Sequence, residues 1–510
     1  MKSRLVFFLL LCSILFSIPA SSSGVSQLNA HGIDTANKSL LNDLTPQYGS
    51  TNEYGNIGRV QDSNKVLNYP NIAATNDTSV FVSVWDTRLT GYGSSNGSVI
   101  HLPLVDGGIY NFTVDWGDGN ANDITAWNQT QVSHFYQNQG SYVIKINGTL
   151  VGWQFNLSGD RLKIIEITQW GNIQLGDSTG YFAGSENLVI NATDAPNLTG
   201  TTTLDHAFYN CFSLGELGNF NSWNVSGVNE MPNMFQNAIT FNQPLNQWDV
   251  SNVTYMPYMF ANTSFNQPLN SWDVSSVTDM SHMFITSPFN QPLDQWDVSS
   301  VNHMAGLFRQ TPFNQPINSW DVSNVTDMSD MFSFTPFNQP LDKWDVSKVT
   351  NMGKMFCFSP FNQPLSSWDI SKVTEMGLMF LNATSFDQPL NQWDVSNVKS
   401  LERFLVGTSF STENYDALLE AWAHLNLQQN VIFNAGSTKY SENAISARIS
   451  IVNNFNWQIS DGGLLSSTPT TTSTSKSHAL NPGFDLIGIV MISLILLNRL
   501  KILSLRFKFN

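Results

Sequence analysis

Seven tryptophans, Trp248, Trp272, Trp296, Trp320, Trp344, Trp368 and Trp393, follow one another at steps of 24, 24, 24, 24, 24 and 25 residues. The same text surrounds each: Phe-Asn-Gln-Pro-Leu-x-x-Trp-Asp-Val-Ser-x-Val-x-x-Met-x-x-Met-Phe. A second landmark, Phe235, Phe260, Phe284, Phe308, Phe332, Phe356, Phe380 and Phe404, keeps nearly the same step. A fixed period of roughly 20–50 residues marks stacked units, none of which can bury its apolar side alone.

The copy from Phe289 to Phe308 shows what one unit is built from. Pro292 can open a strand but cannot sit in its middle. Leu293-Asp294-Gln295-Trp296-Asp297-Val298 then reads as a short strand, with Trp296 and Val298 on one face and Asp297 on the other. Ser299 and Ser300 fit a turn. Val301, Met304, Leu307 and Phe308 follow at helix-like spacing and predict a tight helical or 3₁₀ turn, and Phe289 closes the coil. Leu, Trp, Val, Val, Met and Phe form an inward set, which is read as core. Coils pairing in parallel at about 4.8 Å would make a stack of ten or eleven coils roughly 50 Å long. Such a stack needs caps.

The remaining chain divides around the repeats. Lys2 and Arg4, the apolar run 5–18 and small residues at 20–23 predict a secretory signal peptide over 1–23. Residues 24–77 are polar and without period, a linker or poorly ordered lead-in. Alternating runs at 80–85, 110–116, 141–146 and 150–155 predict a β-sandwich over 78–157. The repeats occupy 158–405, beginning in degenerate form at Trp170 and Trp223. Helical spacing over 414–423 and 442–452, with a last strand at 456–459, gives a C-terminal cap over 406–463. A Ser/Thr-rich stalk covers 464–481. Pro482-Gly483-Phe484, an apolar run from Leu486 to Leu497, and the basic Arg499, Lys501, Arg506 and Lys508 make 482–510 a membrane anchor or sorting tail with its end inside.

Three resemblances rest on these residues. Val114-Asp115-Trp116-Gly117-Asp118-Gly119, with Ser133-His134-Phe135-Tyr136 and Gly140-Ser141-Tyr142-Val143, resembles the PKD (polycystic kidney disease) type of extracellular domain. The Trp-Asp-Val-Ser-x-Val-Thr-x-Met-x-x-Met-Phe repeat resembles the BspA-like leucine-rich-repeat surface proteins. So do Ala192-Thr193-Asp194-Ala195-Pro196-Asn197-Leu198 and the tail Trp457-Gln458-Ile459-Ser460-Asp461-Gly462-Gly463. That resemblance implies a right-handed, leucine-rich-repeat-like parallel β-solenoid used for adhesion or binding at a cell surface. Leu307 for Met, Ile370 for Val and Asp387 for Asn depart from the pattern. The order stalk, Pro-Gly-Phe, apolar run and basic end resembles archaeal PGF-type sorting signals, which implies a tail that is cleaved and lipidated, or else kept as a span. The fold class expected is therefore mainly β.

The chemistry is sparse. One aspartate per coil, Asp249, Asp273, Asp297, Asp321, Asp345, Asp369 and Asp394, forms a ladder. Like charges one coil apart would favour a bound cation such as calcium, or raised pKa values. The alternative is that each Asp accepts hydrogen bonds from the Ser two residues on, in an Asx-turn. A role repeated in every coil points to architecture, so no cofactor and no metal is assigned. An enzyme would place carboxylates or His at one location, out of step with the repeat. The eight His are scattered, and none pairs with a Ser or Cys motif, so no catalytic residue is assigned. His134, within the PKD-type motif, is read as structural. Cys211 and Cys357 lie about six repeats apart, beyond the roughly 7 Å that a disulfide bridges.

A net charge of -16 with only 12% charged residues argues against nucleic acid, whose phosphates reward clustered Lys and Arg. Fourteen Asn-x-Ser/Thr sequons, among them Asn111, Asn191, Asn252, Asn324 and Asn382, fit a glycosylated exterior. The expectation is a non-enzymatic cell-surface protein that presents its repeats to an extracellular protein or glycan and meets the membrane through its C-terminal segment. The polar pairs before each Trp, such as Asn270-Ser271 and Asp294-Gln295, suit hydrogen bonding with a glycan or protein, or merely with solvent. The alternatives are a structural part of the cell envelope and a secreted carbohydrate-active enzyme.

Overall fold

The computed structural model describes residues 77–215 and 217–466, all within one compact unit, Asn68–His478. The expected signal peptide, nearly all of the lead-in, most of the stalk and the C-terminal tail lie outside the described residues. Among the described residues no helix is long and apolar enough to cross a membrane. The chain is mainly β, with few helices.

Eight strands come first: β1 (Phe81–Asp86), β2 (Val99–His101), β3 (Leu104–Asp115), β4 (Ala121–Ile124), β5 (Ser133–Phe135), β6 (Ser141–Trp153), β7 (Ile164–Gln169) and β8 (Val189–Ile190). Six form a mixed sheet in the order β4-β3-β6-β1-β7-β8, and β2 and β5 pair separately. β3 shows why the residues choose this form. Tyr110, Phe112 and Val114 are buried while Asn111, Thr113 and Asp115 are exposed, the period of two that a half-covered strand imposes.

Two expectations change in this sheet. The runs at 141–146 and 150–155 are one strand, β6, not two. Gly148 carries it through: its φ is +123°, and a Cβ there would come within 2.8 Å of the Cα of Phe112 on β3. The sheet also passes the boundary placed at 157/158. β7 and β8 belong to the first degenerate repeats, Trp153 packs on Phe182 at 6.2 Å, and the buried core is continuous from Phe81 to Trp457.

The repeat unit departs from its expected anatomy too. Residues 293–298 are not a strand; they turn around Trp296, whose amide donates to the Leu293 carbonyl. The parallel pairing lies one residue before Met instead, as single bridges: Glu230 to Tyr255, Tyr255 to Asp279, Asp279 to His303, His303 to Asp327, Asp327 to Asn351 and Asn351 to Glu375. The Met-x-x-Met-Phe step is not helical. Leu307, Arg309 and Thr311 donate to Met304, Gly306 and Phe308, three residues back, while Met304, Gly306, Phe308 and Gln310 donate to the next coil at Asp327, Ser329, Met331 and Ser333. The alternation requires two left-handed residues per coil, four apart: Tyr258 and Asn262, His282 and Thr286, Gly306 and Gln310, Asp330 and Phe334. Successive turns repeat every few residues and so mimic helical spacing.

The inward set is buried as read. The seven tryptophans are at most 3% exposed. Each Trp Nε1–H donates to a carbonyl of the preceding coil, as from Trp296 to Leu269 at 2.9 Å and Trp320 to Leu293 at 2.9 Å. Phe289 stacks on Phe284 at 3.9 Å and lies 6.4 Å from Phe313. Asn carries the coil edge: Asn290 N–H donates to Asn266 Oδ1 and Asn314 N–H to Asn290 Oδ1.

The cap holds α1 (Thr412–Trp422), β9 (Ile432–Asn434), α2 (Ile445–Phe455) and β10 (Gln458–Ser460). Ser411 caps α1 by accepting from Asn414 N–H, and Tyr415, Leu418, Leu419 and Trp422 are its buried face. Asp387 stands where other coils have Asn, and the reason is visible. It accepts from Ser411 N–H and from Asn414 Nδ2 at 2.8 Å, placing a carboxylate at the helix start, where the dipole favours negative charge.

Candidate functional site

Each ladder aspartate makes the Asx-turn. The amides of Ser251, Ser275, Ser299, Ser323, Ser347, Ser371 and Ser396 donate to Asp249, Asp273, Asp297, Asp321, Asp345, Asp369 and Asp394 at 2.9–3.2 Å. Hydrogen bonds from the Ser251 hydroxyl and amide hold Asp249 below the usual carboxylate range, against weaker repulsion from Asp273. The same serine bonds lower Asp273, Asp345 and Asp369. Among the described residues no group of three or more His, Cys, Asp or Glu is placed to hold a metal ion.

His134 Nε2 lies 2.8 Å from Asp118 Oδ2, and its ring stacks on Trp116 at 4.9 Å. Burial works against ionisation of Asp118, but the bonds from His134 and from Asn120 leave it below its ordinary value. The arrangement fastens the turn after β3 to β5.

The pairs before Trp are largely occupied by neighbouring coils. Asn270 Nδ2 donates to Asp294 Oδ1, Gln295 N–H to Asn270 Oδ1, and Ser271 Oγ to the Asn246 carbonyl. The variable outer face lies elsewhere, on the bridge column: Glu230, Tyr255, Asp279, His303, Asp327, Asn351 and Glu375. Tyr255, 40% exposed, has Asp279, Asp205 and Glu230 around it, and burial followed by these carboxylates raises its hydroxyl pKa. The sequence carried one signal of this face: the residue before the first Met changes chemistry from coil to coil while the pair before Trp stays small and polar.

One cluster occupies columns that keep the repeat's step but change chemistry from coil to coil: Tyr258, His282, Gly306 and Asp330 in one, Arg309 and Cys357 in the other. His282 stacks on Tyr258 at 4.6 Å. On its other side lies Gly306, where a Cβ would meet the His282 ring at 2.5 Å. Burial, with help from Arg309, pushes His282 down to about 4. Arg309 Nε approaches Asp330 Oδ1 at 3.8 Å, and burial raises Asp330 despite Arg309 and Lys354. Cys357, fully buried, has its thiol pushed up to about 12, mainly by desolvation. A thiol held so far above neutrality is no nucleophile. Cys211 is likewise free and buried, its pKa raised by the same cause.

Comparison with known families finds a similarity over the repeats. A family described as "Mycoplasma protein of unknown function, DUF285" matches residues 177–287, 202–315, 264–358 and 307–422. The overlapping matches are what a repeat produces when one model fits at several phases. No curated protein matches the chain.

Proposed function

We propose that this is a cell-surface binding protein whose repeats form a leucine-rich-repeat-like parallel β-solenoid, displayed outward behind a PKD-like β-sandwich and held at its C-terminus. The observation that carries the reading is the division of labour within each coil. The apolar positions that recur in every copy are buried, whereas the bridge column runs through Glu230, Tyr255, Asp279, His303, Asp327, Asn351 and Glu375, a row of varied side chains along one face. Recurrent interiors with a varied exterior suit recognition of a protein or glycan, since repeats stacked in register offer an extended surface. The family similarity over the repeats is compatible with a repeat surface protein.

The test is a screen of the full chain against glycans and surface proteins, with and without calcium. A ligand is expected whose binding falls at least tenfold, about 1.4 kcal/mol, in the Tyr255→Ala/His303→Ala double variant. Ordered self-assembly without any ligand would overturn the reading in favour of an envelope component.

A further inference from the structure

We propose that the loop over residues 90–98 is a second binding site, that it takes a neutral glycan, and that the Tyr92 ring is its stacking platform. The inference rests on the outward-facing reading above but concerns a different surface.

Tyr92 is 96% exposed, an unusual position for so large a ring. Its backbone is nonetheless fixed. Gly91 lies so close to Leu162 that a Cβ would meet Cδ1 at 2.5 Å, and Gly93 has φ +78°. Ser94 N–H donates to the Gly91 carbonyl at 3.1 Å, and Arg161 Nη1 donates to the Tyr92 carbonyl at 3.1 Å.

The base of the loop is pinned from beneath. Lys163 Nζ lies within hydrogen-bond reach of the carbonyls of Ser95, Asn96 and Val99 at 3.0, 2.9 and 2.7 Å, and of Ser95 Oγ at 2.6 Å, and shares its three N–H groups among them. Its counter-charge, Asp160, lies 3.1 Å away, with both side chains fully buried. Asp160 in turn accepts from Ser95 N–H, Ser95 Oγ and His101 N–H, each at 2.7 Å. A buried ion pair is expensive to desolvate unless its remaining bonding capacity is met. Here it is met by the loop backbone, so the pair and the loop hold each other in place. The ordering entropy that a mobile loop would lose on binding is already spent.

The loop reads Thr-Gly-Tyr-Gly-Ser-Ser-Asn-Gly-Ser. Tyr, Ser, Gly and Asn are the residues of recognition loops: one rigid amphipathic ring with small, adaptable hydrogen-bonding groups. Two facts choose the ligand. A protein hot spot needs a ring set among apolar neighbours that exclude water, and residues 90–98 hold no other apolar side chain. They hold no charge either, and the chain's net charge of -16 disfavours acidic sugars. A neutral pyranose, with a C–H face for the ring and hydroxyls for Asn96 and Ser98, fits both; Ser94 and Ser95 are bonded within the loop and its base.

The experiment is to probe the full chain on an array of glucose, galactose, mannose and N-acetylglucosamine oligosaccharides, with sialylated and sulfated glycans alongside. Binding to at least one neutral glycan is expected, weakened about tenfold or more in Tyr92→Ala and by less than about threefold in Tyr92→Phe, which keeps the stacking face. Thermal unfolding of both variants should match the parent, because the ring packs on so little. Neutral-glycan binding that survives Tyr92→Ala, or binding confined to acidic glycans or to a protein, overturns the inference. If every neutral glycan that binds is lost in Tyr255→Ala/His303→Ala and kept in Tyr92→Ala, the loop inference falls while the solenoid reading stands; a ligand other than a neutral glycan that only the double variant loses leaves both in place.

Discussion

Trp296 and Leu269 are joined across two coils: the indole Nε1–H of the first donates to the carbonyl oxygen of the second at 2.9 Å, inside the core. The bond explains why a tryptophan, and not merely a large apolar residue, recurs at this step. Trp296→Phe keeps most of the buried area but leaves the Leu269 carbonyl without its donor. The expected loss is about 1–3 kcal/mol, read as a lower urea midpoint. An unchanged midpoint would show that volume alone fixes the position.

His282 predicts a pH dependence. Its folded pKa lies near 4 against an ordinary 6.5, so between these values the unfolded chain binds the proton that the folded chain refuses. Stability is therefore full above about pH 6.5 and falls as pH drops toward 4. Burial sets this first; of the charged groups around it, Arg309 also opposes protonation, while Asp279 and Asp327 favour it. Between pH 7 and pH 5 the loss from this residue is about 2 kcal/mol. His282→Phe retains a ring against Tyr258 and cannot titrate, so its stability should fall less over the same interval. Parallel pH curves for the two proteins would refute the assignment.

Lys163→Met should cost about 3–5 kcal/mol, because it strands the buried Asp160 carboxylate. Adding Asp160→Asn should restore part of that loss. If the double variant is no more stable than the single, the cost lies in the carbonyls that Lys163 leaves behind and not in the charge.

Thr286 is β-branched and exposed, yet sits at φ +59°, where L-residues are strained. Thr286→Gly should stabilise the fold by about 0.5–1 kcal/mol after the entropy of glycine is allowed for. Gly306→Ala should do the reverse, since the new Cβ would run into the His282 ring. Calorimetric midpoints moving in the same direction for both would contradict this account.

What sequence could reveal here depended on who makes the bonds. Side-chain burial was legible, since Trp296, Val298, Val301 and Met304 recur and lie inside. The Asx-turns were legible too, because Asp and Ser two residues apart carry their own local chemistry. The pairing column was not. A bridge of one residue leaves no alternation to read, and its occupants, Tyr255, Asp279 and His303, share no propensity. Nor were the left-handed turns, because residues such as Phe334, Phe358 and Leu378 give no local reason to adopt them; the inter-coil bonds impose the conformation. The small residues before Trp looked available because a sequence does not show that Asn270 is held by Asp294 of the next coil.

The inter-coil bonds of the turn step all run one way. Met280, His282, Phe284 and Thr286 donate forward to His303, Ala305, Leu307 and Arg309, and the next coil does the same; one column, Thr278 to Thr254, runs back. The peptide dipoles of the other four therefore add along the stack instead of cancelling. The first coil offers carbonyls, which Gly152 and Phe155 of the β6 end meet with amides through Gln174 and Tyr181, and a late amide, that of Leu405, is met by the Asn434 carbonyl of β9. The stack thus has an electrical polarity: its two ends are chemically opposite surfaces, neither cap could serve in the other's place, and two such stacks laid end to end would match only head to tail.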